Sequence, residues 1–233
     1  MANAPQAKRR VAILISGRGS NMVSLIEAAR QPHYPADVVA VISNRPEAAG
    51  LERARAAGIP AVAIDHKHYA TRMAFEARLH QTLLDFGTEL ICNAGFMRML
   101  TGGFVDRWRN RQLNIHPSLL PSYPGLDTHA RALRDGVKIH GCTVHFVRLE
   151  MDTGPIVAQA AVPVLPGDDA ETLGARVLAA EHKLYPNALR LVASGAIRVD
   201  DGQVEFTVPV GDPQTLFVPP LDRLVPPLDQ PRT

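Results

Sequence analysis

The chain has 233 residues, a formal net charge of +2, and 46% apolar against 21% charged residues, proportions of an ordinary globular protein with one large core. So slight a charge gives no footprint for nucleic acid or an anionic membrane, and no run approaches the ~18 apolar residues of a membrane span. Residues 1–10 are polar and basic, the apolar run 11–15 is too short for a secretory signal core, and Cys92 and Cys142 lie in hydrophobic runs outside any CxxC pair, so free buried thiols in a cytoplasmic setting are expected.

Residues 11–15 form a continuous β-prone run, as in a strand buried on both faces. A tight loop at 16–21 leads to a helix at 22–30, then strand 38–43, helix 50–57, strand 61–64, helix 69–86 and strand 90–94. This alternation predicts an α/β protein with a doubly wound, mostly parallel sheet and right-handed crossovers. Beyond it the rhythm changes. Strand 112–116 and helix 128–135 precede two strands, 143–148 and 156–164, close enough in sequence to form an antiparallel addition. Asp168 and Glu171 are spaced as a capping box for a helix running toward Ser194, and Pro186 is expected to kink or divide it. A hairpin is predicted around Asp201-Gly202, followed by a proline-rich tail expected to be extended or disordered. The expected organisation is one domain over 1–208, with a phosphate-binding half at 10–110, a catalytic half at 111–208, and the tail at 209–233.

Gly17-Arg18-Gly19-Ser20-Asn21-Met22 carries the first two glycines of a dinucleotide fingerprint but Met22 in place of the third. The second strand ends in Ser43-Asn44-Arg45, without the acid that holds an NAD ribose, although Arg45 leaves a 2′-phosphate open. No Gly-Lys-Ser/Thr follows, which excludes a P-loop. What remains is a turn at a helix N-terminus, with Ser20 and Asn21 as added donors, suited to a single phosphate. A plain turn capped by Ser20 or Asn21 is the alternative.

The segment Asn114-Ile115-His116-Pro117-Ser118-Leu119-Leu120-Pro121-Ser122-Tyr123-Pro124-Gly125 holds the strongest chemical signal. Asn114 and His116 at i and i+2 project from one face of an extended segment, and three prolines stiffen the loop behind them. Asp152, on the turn Glu150-Met151-Asp152-Thr153-Gly154-Pro155, could meet the imidazole. An amide N–H and an imidazolium N–H aimed at one point stabilise an oxygen that turns negative in a tetrahedral transition state. A nearby carboxylate favours the charged ring and can take a proton from an attacking amine. No G-x-S-x-G-type nucleophile is present, so direct transfer of an acyl-type carbon is the natural chemistry. His66 and His68 read as exposed, His140 and His145 lack ligand-like companions, which argues against a metal, and Trp108 reads as a packed helix end.

These residues resemble the folate-dependent formyltransferases. The likeness rests on Asn114-Ile-His116-Pro-Ser-Leu-Leu-Pro, Tyr123-Pro-Gly125 and Asp152-x-Gly154-Pro155. It extends through Ile15-Ser-Gly-Arg-Gly-Ser-Asn21, Ala94-Gly-Phe-Met-Arg-Met-Leu100, His140-Gly-Cys-Thr-Val-His145 and Glu181-His-Lys-Leu-Tyr-Pro186, about residues 10–200 in all. It is strongest for the branch acting on phosphoribosylglycinamide in purine synthesis. The resemblance implies a Rossmann-like formyltransferase fold and 10-formyltetrahydrofolate as formyl donor. It implies catalysis by Asn114, His116 and Asp152, and ribonucleotide contacts from Gly19, Ser20, Asn21 and Glu181. Folate contacts would come from Arg72, Met97, Arg98, Met99, Leu100, Asn114, Leu149, Glu150, Met151 and Asp152. It implies no metal, and small-molecule partners for a monomer or homodimer. Arg18 stands where asparagine is also common, and Asp127 where histidine often is.

Rival readings are a formyltransferase for initiator tRNA, which carries a basic C-terminal domain, and a formyltetrahydrofolate hydrolase, which bears an N-terminal regulatory domain. A non-catalytic phosphosugar or NADP-binding module is a third.

Overall fold

Strand β1 (Arg9–Ile15) lies inside the sheet, and beyond its exposed Arg9 and Arg10 its side chains divide between two cores. Val11, Ile13 and Ile15 pack into one apolar cluster, Ala12 and Leu14 into the other, all with no exposure. That two-sided burial explains why residues 11–15 are uniformly apolar. The computed structural model describes residues 7–208, so the expectation for the proline-rich tail lies outside the described residues.

The remaining elements follow in the order α1 (Ser20–Ala29), β2 (Ala36–Ser43), α2 (Ala49–Ala56), β3 (Ala61–Ala63), α3 (Arg72–Asp85), β4 (Leu90–Asn93), α4 (Gly102–Arg107) and β5 (Gln112–His116). Then come α5 (Thr128–Arg134), β6 (Ile139–Phe146), β7 (Ile156–Pro163), α6 (Ala170–Ala193) and the pair β8 (Ile197–Asp200) and β9 (Gln203–Phe206). Seven strands form one sheet in the order β3-β2-β1-β4-β5-β6-β7. The first five are parallel, and β6 and β7 are added antiparallel, as the alternation predicted. Helices α1, α2 and α6 supply one core through Met22, Leu51, Leu173 and Tyr185. The other core takes Phe75 and Leu79 from α3 and Phe104 from α4. Because β1 pairs with β2 on one side and β4 on the other, the strand order reverses there. Open α/β sheets bind ligands beyond the carboxyl ends of strands at such a reversal.

Several expectations shift. Helix α1 begins at Ser20, with Gly19 as its cap in the left-handed region and no side-chain cap. Helix α4 is capped by Trp108, the packed helix end expected there, but its start was not foreseen, since Gly102 and Gly103 disfavour a helix; the buried Glu76 carboxylate fixes that start by accepting from the Thr101 N–H at 2.7 Å and from the Thr101 hydroxyl. Strand β6 starts at Ile139, because its buried pairing with β7 extends through the polar His140. The capping box is Asp169 with Thr172, one residue beyond the expected pair. Asp168 instead grips Arg176 through two bonds of 2.7 and 2.9 Å and accepts from the Leu165 N–H; the Arg176 guanidinium and that N–H hold its carboxyl down at about 2.

Helix α6 also runs unbroken through Pro186. Its neighbours compensate for the lost backbone bond: the buried Tyr185 hydroxyl donates to the Asn93 and Leu113 carbonyls, and Tyr34 donates to the Pro186 carbonyl. Packing across two strand ends outweighs the local preference of proline. The hairpin turn has Asp201 and Gly202 both at positive φ, 42° and 77°, as a two-residue type I′ turn requires. Cys92 and Cys142 are free and buried, and burial pushes both thiols up to about 12. Trp108 closes α4, 1% exposed, beneath the Arg111 guanidinium at 4.7 Å. His68 is exposed as expected, but His66 is half-buried and bonds the Asn44 carbonyl at 2.9 Å.

Beneath α5, His129 and His140 share a ring-to-ring bond of 3.1 Å. Burial, reinforced by His129, pushes His140 down to about 4, and burial with nearby His116 lowers His129. Both rings therefore fold neutral, whereas unfolded histidines titrate near ~6.5. The folded state binds fewer protons across that interval, so this stability is complete above about pH 6.5 and is lost as the pH falls toward 4. His140→Gln is expected to flatten the decline of the thermal midpoint over this window, as followed by calorimetry. Equal slopes in parent and variant would remove His140 from the account.

Candidate active site

The final residue of β5 is His116, and Asn114 lies two positions earlier. The loop after them is tied down from below. Thr143 on β6 donates its hydroxyl to the Ser118 carbonyl at 2.7 Å and accepts from the Leu120 N–H at 3.0 Å. The buried Ser118 hydroxyl donates to the Ser122 carbonyl at 2.6 Å. The loop is thereby held so that the Tyr123 carbonyl meets His116 Nε2 at 2.9 Å. A carbonyl only accepts, so Nε2 carries the proton in that bond. Nδ1 then bears a proton only when the ring is an imidazolium.

Nδ1 faces Asp152 Oδ2 at 3.5 Å, with 8% of the histidine and 9% of the aspartate side chain exposed. Asp152 sits in the left-handed region, φ 58°, on the turn between β6 and β7. The turn runs hard against β6: a Cβ on Gly154 would stand 1.6 Å from the Phe146 carbonyl oxygen, so only glycine fits. Asp152 Oδ2 also accepts from the Gly125 N–H at 2.9 Å, which joins this turn to the proline-stiffened loop.

Asn114 meets the pair through His145, which the sequence offered only as a histidine without ligand-like companions. Antiparallel pairing sets Asn114 opposite His145, and Asn114 Nδ2 lies 3.3 Å from His145 Nε2. The other ring nitrogen of His145 donates to the Phe146 carbonyl at 3.0 Å. His145 Nε2 is 3.8 Å from Asp152 Oδ1. Burial lowers the affinity of His145 for a second proton, against the opposing pull of that backbone bond and Asp152. A bulge in the β6–β7 ladder falls between Val144 and His145, a device that re-aims side chains beside sites. The sequence signal was the alternation Thr143-Val144-His145; the register that pairs it with Asn114 is not local.

Beyond the end of β1, two strands across the sheet from β5, Ser20 and Asn21 occupy the first turn of α1, where backbone N–H groups lack intrahelical partners. The loop before them rests on α2: the Gly50 N–H donates to the Gly17 carbonyl at 3.0 Å, and a Cβ there would meet Ile15 Cδ1 at 2.5 Å. Asn21 differs from its expected role as a free donor. Its side chain is buried and donates to Glu181 Oε2 at 2.6 Å, leaving Asn21 Oδ1 unpartnered. Burial raises the Glu181 carboxyl, opposed by the bond from Asn21. Gly19 and Ser20 thus offer backbone, while Asn21 and Glu181 form a joined polar pair.

Met97, Met99, Leu149 and Met151 are 61, 46, 59 and 52% exposed, apolar side chains on two loops. Ser16 at the end of β1 accepts from the Met97 N–H at 2.8 Å and donates to Asn44 Oδ1 at 2.5 Å, fixing one of those loops. Arg98 lies over the Phe75 ring of α3 at 5.9 Å, close to the first turn where Arg72 is exposed. Glu150 is exposed on the Asp152 turn. Leu100 is 7% exposed and packs into the core, so it can offer a ligand its backbone alone. Among the described residues no group of three or more His, Cys, Asp or Glu could hold a metal, and no helix is long and apolar enough to cross a membrane.

A family model described as formyl transferase matches residues 9–189, which contain every group above. The chain belongs to the formyl transferase family. It is 42% identical over 191 residues to a phosphoribosylglycinamide formyltransferase from Escherichia coli (strain K12), a match covering 82% of this chain and 90% of that protein. It is 52% identical over 194 residues to a trifunctional purine biosynthetic protein adenosine-3 from Bos taurus, where the match covers 83% of this chain but 19% of that much longer protein. The crystal structure of glycinamide ribonucleotide transformylase 1 from Symbiobacterium toebii superposes with a TM-score of 0.83 at 47% identity, over 85% of this chain and 94% of that one. A formyltetrahydrofolate deformylase from Pseudomonas syringae pv. tomato shares the fold at 24% identity and a TM-score of 0.78, over 85% of this chain and 66% of that one. For this formyl transferase the fold expectation holds: a mostly parallel sheet with an antiparallel C-terminal addition.

Proposed function

We propose that this formyltransferase moves a formyl group from 10-formyltetrahydrofolate to the glycine amine of phosphoribosylglycinamide, a step of purine biosynthesis. The observation that carries the reading is the buried His116–Asp152 pair at 3.5 Å, with Asn114 on the same strand face. The ribonucleotide phosphate would lie on Gly19 and the N–H groups of Ser20 and Asn21, where a helix N-terminus favours an anion. The Glu181 carboxylate, held by Asn21, would accept from the ribose hydroxyls. The exposed side chains of Met97, Met99, Leu149 and Met151 fit the flat apolar body of the folate, with Arg72 and Arg98 for its glutamyl carboxylates. Glu150 and the Leu100 backbone would complete that side.

Chemistry follows from the proton inventory. With Nε2–H committed to Tyr123, only the imidazolium can donate from Nδ1 toward the site. The free N–H of Asn114 and Nδ1–H of His116 hold the formyl oxygen as the amine attacks the formyl carbon. The new carbon–nitrogen bond forms, the tetrahedral centre collapses, and the bond to the folate nitrogen breaks. The amine gives up one proton and the leaving nitrogen gains one; Asp152, directly or through water, relays it. No metal is called for. We place the enzyme in the cytoplasm as a monomer or homodimer, acting on small molecules without nucleic acid or membrane.

Mixing the protein with both substrates tests this. Tetrahydrofolate is expected to appear in step with formylated ribonucleotide, one for one. Tetrahydrofolate formed without formylated product would make the protein a hydrolase, and saturable binding without turnover would make it a phosphosugar or NADP-binding module.

A further inference from the structure

We propose that His145 is a positioning residue for this reaction: a neutral imidazole that dictates how Asn114 presents its carboxamide and steers the Asp152 carboxylate toward His116. The inference rests on the formyl-transfer reading for its kinetics, but its geometry stands on the strands alone.

A carboxamide has two faces of nearly identical shape, and only one suits a developing oxyanion. At Asn114 the choice is made by what lies opposite. The Phe146 carbonyl takes the proton of His145 Nδ1 at 3.0 Å, so the neutral ring must present a lone pair at Nε2. A lone pair repels a carbonyl oxygen and accepts an N–H. Asn114 therefore turns its Nδ2 to His145, at 3.3 Å, and keeps one N–H and its oxygen for the site. With the ring 2% exposed, no water competes for Nε2.

The same lone pair acts on Asp152. Oδ1 lies 3.8 Å from Nε2, too far to bond and facing no proton. Oδ2, by contrast, receives the Gly125 N–H at 2.9 Å and faces His116 Nδ1 at 3.5 Å. The carboxylate thus has one reason to engage His116 and none to engage His145. Burial disfavours the His145 imidazolium, in which an Nε2–H would release Asn114 and draw Oδ1 away. One ring thereby sets the orientation of two of the three groups at the reacting centre. Cross-strand register supplies the arrangement, because Asn114 and His145 are partners in the β5–β6 ladder.

Two variants test it. His145→Gln keeps an acceptor for the Asn114 N–H, and His145→Leu fills similar space with none. The leucine variant is expected to lose kcat on the order of 10²-fold, as when an oxyanion donor is lost, with ribonucleotide affinity retained, while the glutamine variant recovers most of the rate. In an Asn114→Ala background the leucine change should cost less than about threefold, because two residues acting as one unit are not additive. Fully additive losses, or equal activity in the two variants, would overturn the proposal. A readout free of turnover is the side-chain amide of Asn114 in the ¹⁵N spectrum, whose N–H bonded to the imidazole nitrogen should lose its downfield shift in the leucine variant alone. An unchanged resonance in a folded leucine variant refutes the geometry. A parent that transfers no formyl group but shows this shift refutes the reaction and keeps the geometry.

Discussion

Asp152→Asn is expected to abolish most turnover while the ribonucleotide still binds. The side chain is nearly isosteric, and its oxygen can still accept the Gly125 N–H that Asp152 Oδ2 holds at 2.9 Å. What disappears is charge. In the proposed mechanism, where an imidazolium is needed because Nε2–H is committed to the Tyr123 carbonyl, His116 loses the counter-ion that faces Nδ1. The site also loses its acceptor for the proton of the attacking amine. A missing acid–base group costs typically 10²–10⁴-fold, and two roles on one carboxylate put the expected loss toward the upper part of that range. In the proposed reading ribonucleotide binding rests on the first turn of α1 and on Asn21–Glu181, at a different strand end, and its Kd should stay within about twofold, less than 1 kcal/mol. Calorimetric titration beside single-turnover formyl transfer separates the two quantities. Parallel loss of both would make Asp152 a structural residue of the turn.

That Asn114, His116 and Asp152 could be grouped beforehand reflects how local their signals are. Asn114 and His116 share a strand whose limits, Gln112–His116, match those expected, because an apolar and polar alternation ending in proline has one sensible reading. The Asp152 turn was legible from Gly154-Pro155, and the close pass of Gly154 beneath Phe146 explains why a glycine stands there. The parallel core was equally readable, since strands buried on both faces are continuous apolar runs.

What escaped depends on partners distant in sequence. Helix α4 begins with two glycines and owes its start to Glu76, a residue of another helix. Pro186 leaves α6 whole because Tyr34 and Tyr185 bond across it to other elements. His145 read as an isolated histidine, for its meaning lies in a register with β5 and in a bulge beside it. Asn21 read as a free phosphate donor, yet its amide belongs to Glu181, 160 positions away. In each case the residue type was visible and the long-range contact that assigns it was not.

His116→Ala carries the second large effect, a fall in turnover on the order of 10²–10³-fold, the usual consequence of removing one donor to an oxyanion. The truncation also leaves the Tyr123 carbonyl and Asp152 without their ring partner, so a loosened loop would slow the reaction as well. His116→Gln separates the causes. Glutamine can donate to Tyr123 and preserve the loop, yet it has no second proton to place toward Asp152 as a cation. If charge is the essential property, the glutamine variant stays nearly as slow as alanine; if loop order is, it recovers. The cavity left by alanine also admits free imidazole, and rescue by it is expected to follow the protonated fraction of the added imidazole, measured as initial formyl-transfer rate against pH at fixed total concentration. Rescue that instead follows the neutral fraction would assign His116 to proton abstraction, with Asp152 no longer the group that relays the proton of the amine.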